Sequence, residues 1–189
     1  MVNVSLRLPR EIDRAEALAL RRISRPQLEP WEPAPPASLD VYGDDWFDRF
    51  LATSNTSARV RWFVCREIDN RITGSVGIDQ IYRGPFNNGI MGWWCGTPFT
   101  GQGYMTAGVI AAIDLAFRPE PLGLSLHRLE ANIRPENAAS LAVAKKAGMR
   151  YEGYSPLYLQ IAGRYCDHCR YAIVREDWDF ANRRSGNSV

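Results

Sequence analysis

The chain has 189 residues, of which 46% are hydrophobic, and its 23 basic and 21 acidic side chains leave a formal net charge of +2. This length supports one good hydrophobic core but is too short for two ordinary domains joined by a linker. The small net charge argues against the concentrated basic surface that binding to nucleic-acid phosphates requires. The sequence also contains no apolar run of membrane-spanning length. We therefore expect neither a nucleic acid nor a membrane as a partner.

The N-terminal sequence MVNVSLRLPREIDR places charged residues where a secretory signal requires an apolar stretch. This pattern favours a cytoplasmic protein. Residues 1–180 are predicted to form a single domain, and residues 181–189 a polar C-terminal tail.

The four cysteines, Cys65, Cys95, Cys166 and Cys169, are too few and too irregularly spaced for a disulfide scaffold, so reduced thiols are expected. Cys166 and Cys169 match half of a zinc ligand set, but the sequence has no second such pair, and the flanking residues favour a strand. We therefore predict no metal site. A redox or metal role for these two cysteines stays open at this point.

The first third of the chain predicts a strand and two helices. Residues 3–8 resemble a short strand, and apolar residues at helical spacing predict a helix over residues 11–24. Five prolines in residues 25–38 predict an irregular loop around Trp31. A second helix is expected over residues 44–51, followed by a polar turn over residues 52–59.

The middle of the chain predicts three antiparallel strands over residues 61–68, 73–82 and 88–95. A helix should begin at Gly103 or shortly after it and end before Pro119. Next come a strand over residues 127–133, a helix over residues 137–147, and two strands over residues 149–174 that turn near Ala162 and Gly163. The resulting order, β-α-α-β-β-β-α-β-α-β-β, predicts a mixed α/β fold.

The segment PFTGQGYMTA, residues 98–107, is the strongest candidate for a binding site. Here a strand ends, Gly101 and Gly103 follow, and an amphipathic helix begins, so backbone N–H groups converge at the positive end of a helix dipole. Such a site suits a diphosphate, although an ordinary capping turn explains two glycines equally well. The segment lacks the Gly-Lys-Ser/Thr of a nucleoside-triphosphate loop and the third glycine of a dinucleotide fingerprint.

This segment contains two of eight motifs that follow one another along the chain. The eight motifs are Gly92-Trp93-Trp94, Pro98-Phe99, Gly101-Gln102-Gly103-Tyr104-Met105-Thr106-Ala107, His127-Arg128-Leu129-Glu130-Ala131, Asn137-Ala138-Ala139-Ser140, Val143-Ala144-Lys145-Lys146-Ala147-Gly148-Met149, Glu152-Gly153 and Asp167-His168-Cys169-Arg170-Tyr171. The ordered series resembles the GCN5-related N-acetyltransferase (GNAT) superfamily and, within it, the ribosomal-protein-alanine N-acetyltransferases of the RimJ/RimL type. This resemblance implies a GNAT fold, with a mixed, mostly antiparallel sheet, a splayed central strand pair and flanking helices. The sequence departs from the usual motif at Thr100, Met105 and Gly108.

The resemblance also implies acetyl-CoA as the acyl donor. Its pantetheine arm is expected beside β-strand residues Trp94, Cys95 and Gly96. The pyrophosphate is expected at the loop residues Thr100, Gly101, Gln102, Gly103, Tyr104, Met105 and Thr106. Asn137 and Ser140 correspond to family residues near the pantetheine and the departing sulfur. Asn137 is, however, also a good N-cap, and Ser140 at the third helical position needs no catalytic explanation.

Glu130 is the candidate general base, acting through a water molecule. Alternation along HRLEANI places Arg128, Glu130 and Asn132 on one face of a strand, so an Arg128–Glu130 ion pair explains the same pattern equally well. Ser140, or a tyrosine such as Tyr151, is the candidate proton donor to the thiolate. A backbone N–H of residues 94–96 would polarise the carbonyl. Asp167 and His168 more often have a structural role in such a hairpin.

The leading hypothesis is direct transfer of acetyl, in a ternary complex, to the N-terminal amine of a protein such as a ribosomal protein. A peptide α-amine has a pKa of about 8, against about 10.4 for lysine, so it demands less of a general base. Trp31 is the candidate clamp for the acceptor peptide. The alternatives are a small amine acceptor (an aminoglycoside, polyamine or amino acid) and a non-catalytic acyl-CoA-binding module. Acidic residues in the acceptor cleft would favour a cationic small molecule, and an open groove would favour a peptide. A homodimer is one of the oligomeric states that stay open.

Overall fold

The computed structural model describes residues 2–34 and 39–178. The predicted tail, residues 181–189, and residues 35–38 of the predicted loop lie outside this part. The helices are α1 (Arg14–Leu28), α2 (Asp44–Thr53), α3 (Tyr104–Phe117) and α4 (Ala138–Lys146). The strands are β1 (Val4–Arg7), β2 (Asn55–Thr56), β3 (Arg59–Arg66), β4 (Ile72–Tyr82), β5 (Asn88–Cys95), β6 (Arg128–Ile133), β7 (Arg150–Ile161) and β8 (Arg164–Val174). Short 3-10 helices cover Glu11–Asp13, Glu29–Trp31 and Thr97–Phe99.

The strands form one sheet in the order β1-β3-β4-β5-β6-β8-β7, and β2 pairs with one end of β3. Every pairing is antiparallel except that of β5 with β6, which is parallel. The predicted α/β fold with a mixed, mostly antiparallel sheet is thus confirmed.

The two central strands, β5 and β6, diverge along their length. They pair only over residues 88–90 with residues 128–130, a contact that we call the seam. Beyond the seam, β5 continues to Cys95 beside β4, and β6 continues to Ile133 beside β8. A gap therefore opens between the carboxyl ends of the two strands, which is the splayed pair that the resemblance implied.

Each face of the sheet packs against one pair of helices because side chains alternate along the strands. On one face, residues such as Val64 and Leu129 form a core with α3 and α4. On the other face, residues such as Phe63 form a second core with α1 and α2. The second core is smaller and leaves part of its face of the sheet uncovered by helices.

The predicted end of the first helix is wrong. The helix was expected to stop at residue 24, before an irregular loop, but α1 continues to Leu28 with Pro26 in its last turn, and the Glu29–Trp31 helix follows. A proline removes one backbone donor, and this loss is small near a helix end. Burial of Leu28 and a hydrogen bond of 3.1 Å from the Gln27 amide to the Cys95 carbonyl hold the extra turn in place.

The predicted polar turn over residues 52–59 is also partly wrong, because α2 extends to Thr53 and Asn55–Thr56 form the short strand β2. The remaining helices and strands occur in the predicted order, with ends within a few residues of those predicted.

The described helices include none that is long and apolar enough to cross a membrane. Cys166 and Cys169 both lie in β8, three residues apart, so their side chains point to opposite faces of the strand. In residues 2–34 and 39–178, no three or more His, Cys, Asp or Glu residues are grouped so that they could hold a metal ion.

Candidate active site

A cavity of about 980 Å³ lies at the open end of the gap between β5 and β6. Trp93 and Trp94 both line it, although their side chains point to opposite faces of β5, so the cavity reaches both sides of the sheet. One part is lined by the glycine loop and α4, and we call it the glycine half. The other part is lined by residues that include Trp31, Glu32 and Asp79, and we call it the tryptophan half.

The glycine loop exposes backbone donors at the start of α3. Gly101 and Gly103 have φ angles of 73° and 88°, which residues with a side chain rarely adopt. The first intrahelical hydrogen bond runs from the Ala107 N–H to the Gly103 carbonyl, at 3.0 Å. The N–H groups of residues 104–106 come before it and have no acceptor within the helix. A Cβ atom on Gly101 would meet no atom within 4 Å, so the space beside the loop is open. The loop therefore fits a diphosphate.

Two of the residues that depart from the usual motif, Met105 and Gly108, pack closely against the sheet. Met105 is buried, and a Cβ atom on Gly74 would lie 2.8 Å from its Cε atom. A Cβ atom on Gly108 would lie 2.6 Å from a methyl carbon of Val64 on β3. The absence of side chains at Gly74 and Gly108 therefore lets α3 lie close to the sheet. Thr100, the third departure, lines the cavity.

The end of β5 is tied to its surroundings by its backbone. The Gly96 N–H donates to the Thr73 carbonyl at 2.8 Å, so it is engaged within the protein and is not free to polarise a ligand. The Cys95 carbonyl is likewise engaged by the Gln27 amide. Burial raises the pKa of the Cys95 thiol to about 11, because the thiolate would lose its hydration. Trp94 and Cys95 line the cavity, whereas Gly96 lies outside its lining.

Asn137 and Ser140 form the N-terminal cap of α4. The Asn137 side-chain oxygen accepts a hydrogen bond of 3.0 Å from the Ser140 N–H, as expected of an N-cap. Both residues also line the glycine half of the cavity. The capping role and contact with a ligand are therefore compatible.

Glu130 forms the ion pair that was the alternative explanation of its position. Its carboxylate accepts a hydrogen bond of 2.8 Å from Arg128, which also pairs with Glu152 on β7. The strand register places Glu130 on the same face as Asp79, with Ile90 of β5 between them. Among the described residues, Asp79 lines the cavity and Glu130 does not. Glu130 could therefore reach a ligand only through an intervening group such as water.

Three carboxylates that were not predicted as site residues line the cavity. Each forms an ion pair with at least one arginine. The pairs are Glu32 with Arg21 (2.9 and 3.0 Å), Asp79 with Arg61 (3.0 Å) and with Arg59, and Glu136 with Arg134 (3.3 Å). These groups give the cavity no excess of negative charge.

Arg21 sits in an aromatic box behind the tryptophan half. The residue is only 3% exposed, and its guanidinium lies 4.6 Å from the ring centre of Trp46, 4.9 Å from that of Tyr42 and 5.3 Å from that of Trp94. The Tyr42 hydroxyl donates to Glu32 at 3.0 Å. Burial and the Glu32 charge raise the pKa of Tyr42 to about 12. These contacts fix Glu32, the residue after the Glu29–Trp31 helix, to α1.

The floor of the cavity lacks side chains at its centre. Gly77 of β4 and Gly92 of β5 are register partners, and both line the cavity. A Cβ atom on Gly92 would meet nothing within 4 Å. A Cβ atom on Gly77 would come within 2.6 Å of the Arg61 Cγ atom, so the room for an extended ligand backbone lies beside Gly92.

The cavity brings together most of the predicted binding residues. Those that line it are Trp31, Trp94, Cys95, Thr100, Gly101, Gly103, Met105, Thr106, Asn137 and Ser140. Outside its lining are Gly96, Gln102, Tyr104, Glu130 and Tyr151. The Gln102 amide instead donates to the Pro98 carbonyl at 2.8 Å.

Of the residues that the sequence analysis missed, Asp79 had a usable signal, because alternation along β4 places it on the same face as Ser75 and Gly77. Glu32 gave no such signal. Its partner Arg21 lies 11 residues earlier and meets it only when the chain folds back along α1.

His168 lies in a buried environment, which suits the structural role favoured for it from the sequence. It is 2% exposed, and its Nδ1 atom lies 3.0 Å from the Cys166 carbonyl oxygen. The neighbouring Asp167 accepts hydrogen bonds from the Tyr154 hydroxyl and the Leu157 N–H. Both residues therefore stabilise the β7–β8 hairpin.

Residues 3–150 match the family model of the acetyltransferase (GNAT) domain. This match covers most of the chain, and the protein therefore belongs to the GNAT family of acetyltransferases. Its relatives place it in the RimJ/RimL branch that the motifs indicated.

The chain is 29% identical over 154 residues to the [ribosomal protein uS5]-alanine N-acetyltransferase of Escherichia coli. The aligned region covers 80% of this chain and 77% of the relative. It is 36% identical over 109 residues to the probable N-acetyltransferase YjcK of Bacillus subtilis, a match that spans only 58% of either chain. The solved structure of Mycobacterium smegmatis RimJ in complex with CoA-disulfide is similar with a TM-score of 0.80 and 28% identity, covering 95% of this chain and 90% of that one.

Proposed function

We propose that this acetyltransferase moves the acetyl group of acetyl-CoA to the N-terminal α-amine of a protein, with a ribosomal protein as the leading acceptor, by direct attack in a ternary complex. One observation carries this proposal: a single cavity joins the glycine loop to a charge-balanced groove on the opposite face of the sheet. The names of the relatives support the ribosomal acceptor.

The glycine half fits the acyl donor. The free N–H groups of the loop and the dipole of α3 would hold the pyrophosphate. The pantetheine arm would then pass Trp94 and Cys95 toward Ser140, all of which line the same cavity. In this placement the amine nitrogen attacks the thioester carbon and loses its proton through water to Glu130, while the C–S bond breaks. The Ser140 hydroxyl donates a proton to the departing sulfur and regains one from water.

The tryptophan half fits a peptide better than a polyamine. Its carboxylates are neutralised by arginines, so it offers little attraction for a second or third ammonium group. The open space beside Gly92 leaves room for a main chain. At pH 7 about a tenth of an α-amine with a pKa of about 8 is already neutral, so a modest base suffices.

The function is tested by incubating the protein with acetyl-CoA and a panel of peptides with different N-terminal residues, with spermidine and an aminoglycoside included as small amines. The product masses are then read. We expect acetylation of the α-amine of one group of peptides. Transfer to spermidine alone would reject the peptide acceptor, and no transfer to any amine would favour the non-catalytic module.

Cys95 provides a test of direct transfer. Because burial raises the pKa of its thiol to about 11, little thiolate is present near neutral pH, and a protein acyl-thioester intermediate is disfavoured. We expect Cys95→Ala to keep at least about half of the wild-type kcat. Intact-mass measurement after incubation with acetyl-CoA alone should show no acetylated protein, and an adduct lost in Cys95→Ala would reject direct attack.

Glu130 remains the proposed base, and Glu152 offers the control. Both carboxylates pair with Arg128, but the register places only Glu130 beside β5. We expect Glu130→Gln to slow transfer about tenfold at pH 7 and to recover near pH 9, where the α-amine is neutral without help. Glu152→Gln should keep the wild-type pH profile. Equal effects of the two variants would assign Glu130 to the ion pair alone.

A further inference from the structure

Arg134 bridges the two halves of the cavity from the outside. It belongs to the loop between β6 and α4, three residues before the N-cap Asn137. Its Nη1 atom donates to the Pro30 carbonyl at 3.1 Å, across 104 residues of sequence. The guanidinium also lies 5.2 Å from the centre of the Trp31 ring, in cation–π geometry. Arg134 thus holds both the backbone and the side chain of the Glu29–Trp31 helix.

The other side of Arg134 faces the glycine half. Its Nε atom lies 3.3 Å from a carboxylate oxygen of Glu136, an ionic contact without hydrogen-bond geometry, and the side chains of Arg134 and Glu136 are 16% and 63% exposed. Glu136 and Asn137 both line the cavity. A continuous series of contacts therefore runs from the start of α4 through Glu136 and Arg134 to Trp31.

The segment after Trp31 is held by two further groups. The Ala162 N–H, in the turn between β7 and β8, donates to the Glu32 carbonyl at 3.1 Å. The Glu32 carboxylate is held by Arg21. Neither Ala162 nor Arg21 contacts the start of α4. Of these three residues, only Arg134 therefore links the segment after Trp31 to the glycine half of the cavity.

We infer that Arg134 is a positioning residue that couples occupancy of the coenzyme A site to placement of the Trp31 wall around the acceptor. A ligand that orders Glu136 and Asn137 orders Arg134 as well, and with it the Glu29–Trp31 helix. Such linkage is reciprocal, so an acceptor bound against Trp31 would strengthen coenzyme A binding by the same factor. The acceptor part of this inference rests on the proposed function, but the coupling itself does not.

Hydrogen exchange tests the coupling without any activity measurement. Coenzyme A is expected to slow exchange of the amides in residues 27–34 and of the Ala162 amide in the wild-type protein. In Arg134→Ala this protection should disappear while the affinity for coenzyme A changes less than about twofold. Arg83→Ala is the matched control, because Arg83 also joins a carbonyl, that of Leu124, to a carboxylate, that of Glu120, but away from the cavity lining.

Kinetics provide the second readout. We expect Arg134→Ala to raise the acceptor KM about tenfold with kcat changed less than about twofold, which is the signature of lost binding rather than lost chemistry. Arg134→Lys keeps the charge but loses the planar fork and most of the stacking on Trp31, so it should recover only part of the loss.

Two results would overturn the inference: a wild-type protein whose residues 27–34 do not respond to coenzyme A, or an Arg134→Ala protein that keeps the full response. If the coupling is found but no peptide is acetylated, the proposed acceptor fails and the role of Arg134 stands.

Discussion

Gly103→Arg is expected to abolish measurable acetyl-CoA binding. The substitution places a long side chain beside the amides of the glycine loop, at a φ angle of 88° that favours glycine. The nearest atom to a Cβ at this position is a Val2 methyl carbon at 3.7 Å, so the fold leaves room for the new side chain, which then occupies the ligand's space. We expect Kd to rise at least about 100-fold, which is about 2.8 kcal/mol, as measured by calorimetry.

The control for this prediction is Gly163→Arg. Gly163 has a φ angle of 80°, nothing lies within 4 Å of an added Cβ atom, and the residue sits in the β7–β8 turn outside the cavity lining. Both variants therefore carry similar backbone strain, of about 1–2 kcal/mol. Gly163→Arg should lower the melting temperature about as much as Gly103→Arg and leave acetyl-CoA binding unchanged. Equal loss of binding in both would remove the assignment of the glycine loop.

Of the substitutions proposed here, Arg21→Met is expected to cause the largest loss in the free energy of unfolding. Arg21 is buried in an aromatic box and makes two hydrogen bonds to Glu32. Removing it leaves the Glu32 carboxylate without its partner, which for a buried pair costs about 3–5 kcal/mol. Because the Glu32 side chain is 29% exposed, water screens part of this penalty, and we expect the lower end, about 3 kcal/mol. Denaturant unfolding measures it directly.

The double variant Arg21→Met/Glu32→Gln separates charge from packing. With no charge left unpaired, it should recover about half of the lost stability. No recovery would show that the stacking of Arg21 on Tyr42, Trp46 and Trp94 provides most of the stabilisation. Glu32→Gln alone should also loosen the Trp31 segment and raise the acceptor KM.

Periodicity and turn chemistry were sufficient to predict the order of the helices and strands except for the two-residue strand β2. β5 was predicted with its observed ends, because a turn of Gly84, Pro85 and two asparagines precedes it. The end of α1 was missed because a proline rule considers only local geometry. Contacts with β5, 68 residues away along the chain, decide the outcome at Gln27.

In the candidate site too, features set by local backbone geometry could be predicted from the sequence, whereas features set by distant contacts could not. The glycine loop could be proposed from sequence because an anion site at a helix start depends on local backbone geometry, and the structure gives its two glycines positive φ angles. Glu32 of the tryptophan half escaped, because it acquires its role from Arg21, which only the folded chain brings near. Glu130 shows the opposite case, since strand alternation gave its face correctly but could not show that Ile90 lies between it and Asp79.

The seam between β5 and β6 has a consequence for how the enzyme's selectivity can change. Only three residue pairs join the two strands, and the width of the gap depends on how they meet. Gly89 lies in this contact, and a Cβ atom there would come within 2.4 Å of a methyl carbon of Ile78. We therefore expect Gly89→Ala, which forces Ile78 or the strands to move, to change the width of the gap while leaving every residue that lines the cavity unchanged. Under the proposed function, the size of the acyl group that the gap between β5 and β6 accepts would then be adjustable at Gly89, a residue that does not line the cavity.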